Sequence, residues 1–307
     1  MWTYVAKRLL YAIPVLFGIK AIVFILFAVA AGDPAEKIAG RHATPEKLAE
    51  IRHRLGTDKP LDEQFWHDLV SFDLGRSLFT DRPVIDRIGE GIVPSLSLAV
   101  PAFAVETILA ISLALFCAFY RGGFADRLVI FLTVAAISIP SLAYILFGQY
   151  FLAYRWNLFP IFGYEPLPTG WVFLALPAVI WVLLSLGSEV RFYRAVMLEE
   201  IGQDYVRTAA AKGLPTGRIL FRHVLKNSMI QIITRVVITI PFLILGSLLL
   251  EMFFGIPGLG NMTIEAINQN DYPVVKAFVL IGSILYIVFS ILTDVCYALV
   301  DPRVRLQ

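Results

Sequence analysis

The chain has 307 residues, of which 58% are hydrophobic and 16% are charged, and its mean hydropathy is +0.74. Soluble globular proteins average about 45–50% apolar and about 25% charged residues, so this composition excludes a soluble domain and predicts burial in a lipid bilayer. The net charge of +2 is too small to indicate a nucleic-acid-binding protein. Cys117 and Cys296 both lie inside apolar runs, where we interpret them as small buried side chains.

Six apolar stretches are long enough, or nearly so, to cross the hydrocarbon core, which requires about 20 residues of helix. They are residues 9–31, 92–120, 128–154, 171–188, 229–250 and 274–300. The first resembles a secretory signal, because Lys7 and Arg8 precede it and Ala28-Val29-Ala30 lies near its end. Its apolar run exceeds the ~7–15 residues of such signals, so we interpret it as a membrane anchor. The chain is therefore predicted to be an all-α membrane protein with six transmembrane helices.

These spans divide the chain into an N-terminal transmembrane helix (1–31), a helical insert (32–91) and a transmembrane core (92–307) that carries a loop at 189–228. In the insert, Thr44 followed by proline predicts the start of a helix that Gly56 ends. A second amphipathic helix is predicted over 61–72. The insert also holds three histidines at spacings of 11 and 14 residues, which match no metal-ligand pattern, so no metal site is predicted. They are His42, His53 and His67.

The distribution of charge predicts the orientation. If the amino terminus is cytoplasmic, basic residues outnumber acidic ones by 7 in the cytoplasmic segments, and acidic residues outnumber basic ones by 6 in the outer segments. Lysine and arginine are enriched in cytoplasmic loops of membrane proteins. Both termini and the 189–228 loop are therefore predicted to be cytoplasmic, and the insert is predicted to lie outside.

The loop at 189–228 contains the most informative pattern. Asp204 is placed to cap a short helix over 205–212, which Gly213 ends. The centre of this helix is Ala209-Ala210-Ala211, whose small side chains allow another protein to approach closely, with a cation on each side. The residues alone leave two interpretations open: a helix that docks into an acidic groove, and a plain surface helix built from good helix formers.

Five ionisable residues fall within the predicted spans. Arg235 and Lys276 lie near span ends and are predicted to extend to the membrane interface. Asp294 lies close to the basic residues of the C-terminus, where structural pairing is favoured over a transport role. Lys20 and Glu106 lie near mid-span, where a charge costs about 2.5–3.5 kcal/mol. We keep three interpretations for them: they pair with each other, one of them lines a translocation cavity, or their placement is unrelated.

The stretch from Asp204 to Asn227 resembles the cytoplasmic coupling loop of ABC importer permeases, in particular the dipeptide/oligopeptide/nickel branch. That branch usually reads D-Y-x-R-T-A-x-A-K-G-L followed by R-H-A-L-x-N. This chain reads Asp204-Tyr205-Val206-Arg207-Thr208-Ala209-Ala210-Ala211-Lys212-Gly213-Leu214 and then Arg222-His223-Val224-Leu225-Lys226-Asn227. Ala210 replaces a frequent arginine, and Val224 replaces an alanine.

Residues similar to those of the family recur in order along most of the chain. They are Gly32-Asp33-Pro34, Leu55-Gly56 through Pro60 and Gln64, Asp73-Leu74-Gly75-Arg76-Ser77, Pro83-Val84 leading to Pro94-Ser95-Leu96, Glu251 through Phe254-Gly255-Ile256-Pro257-Gly258-Leu259-Gly260, Asp271-Tyr272-Pro273-Val274-Val275, Asp294 to Tyr297, and Asp301-Pro302-Arg303. Asn270 stands where the family often has arginine.

The resemblance implies a type I ABC importer fold: six transmembrane helices, a small periplasmic insert between the first two, and a cytoplasmic coupling helix that sits in a cleft of an ATPase subunit. It implies that the ATPase-contacting residues are Asp204, Tyr205, Arg207, Thr208, Ala209, Ala210, Ala211, Lys212 and Gly213. The alanine at 210 removes one ionic contact that the usual arginine would offer.

The resemblance further implies a permease subunit of an ATP-driven, binding-protein-dependent importer of di- or oligopeptides, located in a bacterial or archaeal inner membrane. The implied partners are a second homologous permease, two cytoplasmic ATPase subunits and a periplasmic or lipid-anchored solute-binding protein. Nickel chelates, opines, glutathione and sugars are the alternative cargoes. The chain has no G-x-x-x-x-G-K-[ST] motif, so ATP and magnesium are assigned to the ATPase subunits, and neither enzymatic activity nor a cofactor is predicted.

Two other classes of function fit less well. An ion-coupled secondary transporter would be expected to show inverted repeats or paired broken helices, and the sequence shows no such repeat. A membrane-embedded hydrolase needs a nucleophile with a base, or a metal cluster, at bilayer depth. No histidine lies in any predicted span.

Overall fold

The structure, a computed structural model, describes residues 2–30, 34–39, 44–71 and 73–300. Within these ranges the regular secondary structure is helical, apart from an isolated bridge between Arg76 and Pro83. The all-α prediction is confirmed for this part of the chain. Several residues used in the sequence comparison or the charge count lie outside the described ranges: Gly32, Asp33, His42, Asp301, Pro302, Arg303 and Arg305.

Four helices form the amino-terminal part: α1 (Trp2–Ala30), α2 (Pro34–Ala39), α3 (Pro45–Leu55) and α4 (Leu61–Val70). The predicted start and end of α3 are confirmed. Oγ1 of Thr44 accepts a hydrogen bond from the backbone N–H of Lys47 at 3.4 Å, and Gly56 adopts the left-handed conformation with a φ of 69°. α4 ends at residue 70, two residues before its predicted end.

The middle of the chain forms the longest helices. They are α5 (Val84–Phe119), α6 (Phe124–Ser138), α7 (Ser141–Phe147) with a π-helical continuation (Gly148–Arg155), and α8 (Trp171–Ile201). α5 begins eight residues before the predicted second span, so residues 84–91 continue the membrane helix. Its 36 residues extend about 54 Å at ~1.5 Å per residue, beyond the ~30 Å hydrocarbon core.

The carboxy-terminal part contains shorter helices between two long ones. They are α9 (Asp204–Ala211), α10 (Thr216–Ile219), a π-helical stretch (Leu220–Val224), α11 (Leu225–Leu245), α12 (Leu248–Phe254), α13 (Leu259–Gln269) and α14 (Tyr272–Val300). The prediction of a loop at 189–228 was wrong for its first third, because α8 runs to Ile201. The sequence has no glycine or proline between Ser188 and Gly202 to end the helix earlier.

Among the described residues, five helical segments are long and apolar enough to cross a membrane. They are Ala6–Phe27, Val84–Phe119, Trp171–Ile201, Thr216–Phe254 and Tyr272–Cys296. The third predicted span, 128–154, is bent by 91° between α6 and α7. The bend lies at Pro140, which lacks a backbone donor, and the preceding Ile139 is extended. The described part of the chain therefore has five candidate spans, or six if the bent pair counts as one.

α5 is the central helix, since each of the three clusters of buried apolar side chains contains its residues. Toward its C-terminal end, Ala110, Ala114 and Ala118 belong to the cluster shared with α8, α9 and α11. Alanine at every fourth position allows helices to approach closely. Toward its N-terminal end, Val84 and Ile88 belong to the cluster shared with α13 and α14. α9 and α13 therefore lie at opposite ends of α5.

Candidate functional site

The short helix α9 begins and ends close to its predicted bounds. It starts at Asp204, one residue earlier than expected, so the predicted capping role of Asp204 was wrong. Asp204 instead lies in the first turn, where a carboxylate stabilises the positive end of the helix dipole. Gly213 ends the helix as predicted, with a φ of 76°, and its N–H donates to the carbonyl oxygen of Ala210 at 2.9 Å.

One face of α9 is buried in the protein's own core. Val206 and Ala209 are 7% and 5% exposed and belong to the cluster that contains Tyr193 and Met197 of α8 and Val224 of the π-helical stretch. This packing fixes α9 against two membrane-crossing segments. Ala209, one of the three alanines in the sequence motif, thus faces inward.

The opposite face of α9 is exposed. It carries small side chains and two cations, namely Arg207, Thr208, Ala210, Ala211, Lys212 and Gly213, together with Asp204. The Arg207 and Asp204 side chains, 3.4 Å apart, are 76% and 96% exposed, so this ion pair is solvated and contributes little stability. The face can therefore offer its charges to another molecule.

Tyr205 connects α9 to the end of α8. Its hydroxyl donates a hydrogen bond to the carboxylate of Glu200. Burial raises the pKa of Tyr205 to about 12. The hydroxyl therefore remains protonated, and able to donate, at all physiological pH values.

The structure places Lys20 on the side of α1 that faces α4 and α14. Its Nζ donates to the carbonyl oxygen of Ser71. Nearby, Nζ of Lys276 lies 3.0 Å from Oδ1 of Asp68 and 5.6 Å from the centroid of the Phe24 ring. Lys276 thus reaches from α14 to a carboxylate of the insert, a partner that the sequence did not reveal.

Glu106 lies in a different place, between α5 and α8. It is 3% exposed, and its Oε2 accepts a hydrogen bond from Nε1 of Trp181 at 3.1 Å. The structure does not bring Lys20 and Glu106 together: within the described ranges they form no ion pair with each other. Each carries polar contacts at its own helix interface, which explains how a charged residue is accommodated at mid-span.

Arg235 forms an ion pair that the sequence did not reveal. Its Nη2 lies 2.7 Å from Oε1 of Glu189, and its Nε lies 3.2 and 3.3 Å from the two carboxylate oxygens. The Cζ atom of Arg235 lies 5.4 Å from the centroid of the Phe192 ring. The sequence placed Arg235 near the end of a span, whereas the structure places it midway along α11, where Glu189 binds it.

Two further charged pairs tie helices together. Asp294 pairs with Arg8 of α1 at 3.0 Å, so a structural pairing is found, while the basic residues expected as its partners, Arg303 and Arg305, lie outside the described ranges. Asp126 of α6 is 2% exposed and accepts from Nε and Nη2 of Arg194 at 2.8 and 2.9 Å. The first pair joins α1 to α14 and the second joins α6 to α8.

At the other end of α5, Glu251 is the centre of a hydrogen-bond network. It is fully buried and accepts from Oγ of Ser95 at 2.9 Å and from the N–H groups of Ser247, Gly260 and Asn261 at 3.0, 2.7 and 3.2 Å. The last two N–H groups belong to the first turn of α13, whose dipole favours a carboxylate there. Glu251 therefore locks α12, α13 and α5 together.

The glycines of this loop fit the carboxylate. A Cβ atom at Gly258 would lie 2.3 Å from Oε2 of Glu251, and one at Gly260 would lie 2.9 Å from it. The N–H of Leu259 donates to Oγ of Ser95 at 2.8 Å. The glycine-rich segment thus surrounds one of the chain's own side chains.

A second buried carboxylate joins the segment after α4 to the start of α14. Asp271 is fully buried and accepts from Oγ of Ser77 and from the N–H of Leu78, the latter at 3.0 Å. Nη1 of Arg87 lies 3.5 Å from it. Ser77 and Asp271 belong to two separate stretches of the family resemblance, and this contact joins the two stretches.

A bundle of membrane-crossing helices with an exposed short helix at one end and hydrogen-bonded loops at the other defines a multi-pass membrane protein. Residues 110–306 match the family described as "Binding-protein-dependent transport system inner membrane component", and residues 1–91 match the N-terminal domain of such membrane components. The chain belongs to this family of transport proteins.

Full-length relatives support the assignment. The chain is 35% identical to a probable peptide ABC transporter permease of Sinorhizobium fredii, with 99% of this chain and all of the relative covered. It is 36% identical to a putative peptide transport system permease of Brucella abortus, with 99% of each chain covered. It is 34% identical to the glutathione transport system permease protein GsiC of Shigella flexneri, again with 99% of each covered.

Sequence reasoning missed Glu189, Trp181 and the pairing of Arg235. Glu189 was assigned to the loop because the apolar run ends at residue 188, although the helix continues to residue 201. Trp181 lies in an apolar run and was counted as one more apolar residue. No periodic pattern in the sequence indicates that its indole N–H donates to Glu106. The acid at 189 and the base at 235 are 46 residues apart, so no local spacing could connect them.

Proposed function

We propose that this chain forms half of the translocation pathway of an ATP-driven importer, paired with a second homologous permease. Two cytoplasmic ATPase subunits supply the energy, and a periplasmic or lipid-anchored binding protein delivers the solute. Membership of a binding-protein-dependent transport family supports this assembly. ATP and magnesium are held by the ATPase subunits, and this chain hydrolyses nothing.

The observation that carries the proposal is that α9 is buried on one side and exposed on the other. Its inner side, with Val206 and Ala209, packs into the core, while Arg207, Ala210 and Lys212 are exposed. A rigidly attached helix with a small, cationic outer face fits a cleft lined by carboxylates. Movement of the ATPase would then pass through α9 to α8 and α11, with which α9 shares its apolar cluster.

In this arrangement α9 and both chain termini are cytoplasmic, and α13 and the insert lie on the periplasmic side. The excess of basic residues in the predicted cytoplasmic segments supports this orientation. The insert offers a surface for the binding protein, since Leu61, Trp66 and Val70 of α4 are 65%, 63% and 65% exposed. Exposed large apolar side chains outside the spans are typical of interaction sites.

The cargo proposed is a di- or oligopeptide. Two relatives that match over nearly the whole chain are named as peptide transport permeases, and a third is named as a glutathione permease. Glutathione, in the third name, is one of the alternative cargoes.

The test is reconstitution in lipid vesicles. The complete complex, with loaded binding protein, is expected to take up trialanine in the presence of ATP and to stop when any subunit is left out. If this chain alone accumulates solute or hydrolyses ATP, the proposed function is wrong.

A further inference from the structure

The Arg235–Glu189 pair lies midway along a membrane-crossing helix and reaches the protein surface. Arg235 is the central residue of α11 (Leu225–Leu245), about 15 Å from either end at ~1.5 Å per residue, which is half of the ~30 Å hydrocarbon core. Its side chain is nevertheless 44% exposed. A charge that faces lipid at this depth costs about 2.5–3.5 kcal/mol, so this surface faces water or protein.

The surroundings of Arg235 are polar along both helices. On α11, Gln231, Arg235 and Thr239 follow each other at intervals of four and therefore share one side of the helix. On α8, Ser188 is exposed directly beside Glu189. Polar stripes within otherwise apolar spans mark solute pathways.

Geometry makes the guanidinium the accessible member of the pair. Glu189 is 12% exposed and binds the Nε and Nη2 side of Arg235. The two Nη1 hydrogens are directed away from that edge by the covalent geometry of the guanidinium, and no described residue accepts a hydrogen bond from them. Arginine has five donors in a fixed fork that matches a carboxylate.

We propose that Arg235 binds the terminal carboxylate of a peptide during its passage through the permease. This inference rests on the proposed function and adds a contact point for the cargo. Every peptide with a free C-terminus carries at least one carboxylate, a group that arginine binds through two parallel hydrogen bonds. Glu189 is a positioning residue: it orients the guanidinium and offsets part of its charge, so that the peptide is held weakly enough to leave.

The experiment uses the complete complex in vesicles, with loaded binding protein and radiolabelled trialanine. Losing a charge-assisted hydrogen bond is expected to lower peptide uptake about tenfold in Arg235→Gln, while ATP hydrolysis stays within about twofold of wild type. Arg127→Gln removes an exposed arginine from α6 and serves as the matched control, with uptake within about twofold of wild type.

Glu189→Gln distinguishes peptide binding from a purely structural ion pair. It removes the partner charge and leaves Arg235 cationic, so uptake is expected to remain within about threefold of wild type if the peptide is the ligand. The exchange Glu189→Arg with Arg235→Glu keeps an ion pair but exposes a carboxylate, so uptake is expected to stay low.

Three results would overturn the inference. Uptake could fall equally in Glu189→Gln and Arg235→Gln, or be restored by the charge exchange, and either result would make the pair structural. Alternatively, Arg235→Gln could fail to co-purify with the second permease, which would make the surface a subunit contact. Failure of the wild-type complex to take up trialanine would instead disprove the proposed function itself.

Discussion

The loop that follows α12 and the helix α9 lie at opposite ends of α5 and are stabilised in different ways. Around Glu251, a fully buried carboxylate meets four donors of the same chain, and adjacent glycines leave room for it. α9 is attached by two buried apolar side chains and exposes the rest. The polar groups around Glu251 are hydrogen-bonded within the chain, whereas the polar groups of α9 remain accessible to another molecule.

This difference separates residues that hold the fold from residues that we propose contact a partner. A buried network loses stability when one member is removed, because the remaining groups are left without hydrogen bonds. An exposed face tolerates substitution in the isolated chain and shows its role only when the partner is present. The following substitutions test the distinction in order of expected effect.

Glu251→Ala should have the largest effect. It leaves the hydroxyl of Ser95 and three backbone N–H groups without their acceptor, which we expect to cost about 3 kcal/mol or more. The measurement is thermal unfolding of the purified chain in detergent. Glu265→Ala, which removes an exposed carboxylate from the same region, is the control. Equal unfolding temperatures for the two variants would contradict the structural role of Glu251.

Ala210→Glu should uncouple transport without unfolding the chain. It places a negative charge on the face proposed to enter an acidic cleft, so ATP-driven peptide uptake is expected to fall at least about tenfold. Ala210→Arg introduces a side chain of similar length and opposite charge, and uptake should stay near the wild-type level. Unchanged uptake in Ala210→Glu, or equal loss in both variants, would contradict docking by charge and shape.

Trp66→Ala should weaken the response to the binding protein. Tryptophan is enriched among the interface residues whose truncation costs about 2 kcal/mol or more, so the concentration of loaded binding protein needed for half-maximal ATPase stimulation should rise about tenfold or more. Basal ATPase activity should not change, because Trp66 lies on α4 in the insert and takes no part in the contacts by which Lys20 and Lys276 hold this region. An equal loss of basal activity would indicate a folding role.

Tyr205→Phe should have the smallest effect. It removes one hydrogen bond, to Glu200, and leaves the apolar packing of α9 in place. We expect the free energy of unfolding to fall by less than about 1 kcal/mol and peptide uptake to fall by less than about twofold. The measurement is the ratio of peptide uptake to ATP hydrolysis. A change in this ratio as large as that of Ala210→Glu would show that the hydrogen bond between Tyr205 and Glu200 of α8 controls coupling.

The sequence predicted the elements whose causes are local. Five of the six spans follow from runs of apolar residues, and α3 and α9 end at glycines that adopt positive φ. The shape of the third span could not be predicted, because the chain bends by 91° at Pro140 and an apolar composition is the same for a bent and a straight helix. The end of the fourth span was placed at residue 188 because charge was taken to mean loop, whereas the charged residues continue the helix.

The contacts that complete the sites could not be predicted, because they join residues far apart in the chain. Ser95 and Glu251 are 156 residues apart, and Ser77 and Asp271 are 194 apart. Lys20 and Glu106 have similar depth and opposite charge, which suggested a pair, but depth does not fix the direction in which a helix faces. The inward direction of Ala209 likewise depends on how α9 packs on α8.

The most direct measurement is cross-linking from single cysteines in the assembled complex, with Cys117 and Cys296 replaced by alanine. A cysteine at 210, on the exposed face of α9, should form an adduct with the ATPase subunit through a short bifunctional maleimide. A cysteine at Thr169, exposed in the loop before α8, should form none. An adduct from position 169, or its absence from position 210 in an active complex, would contradict the proposal that α9 is the contact for the ATPase.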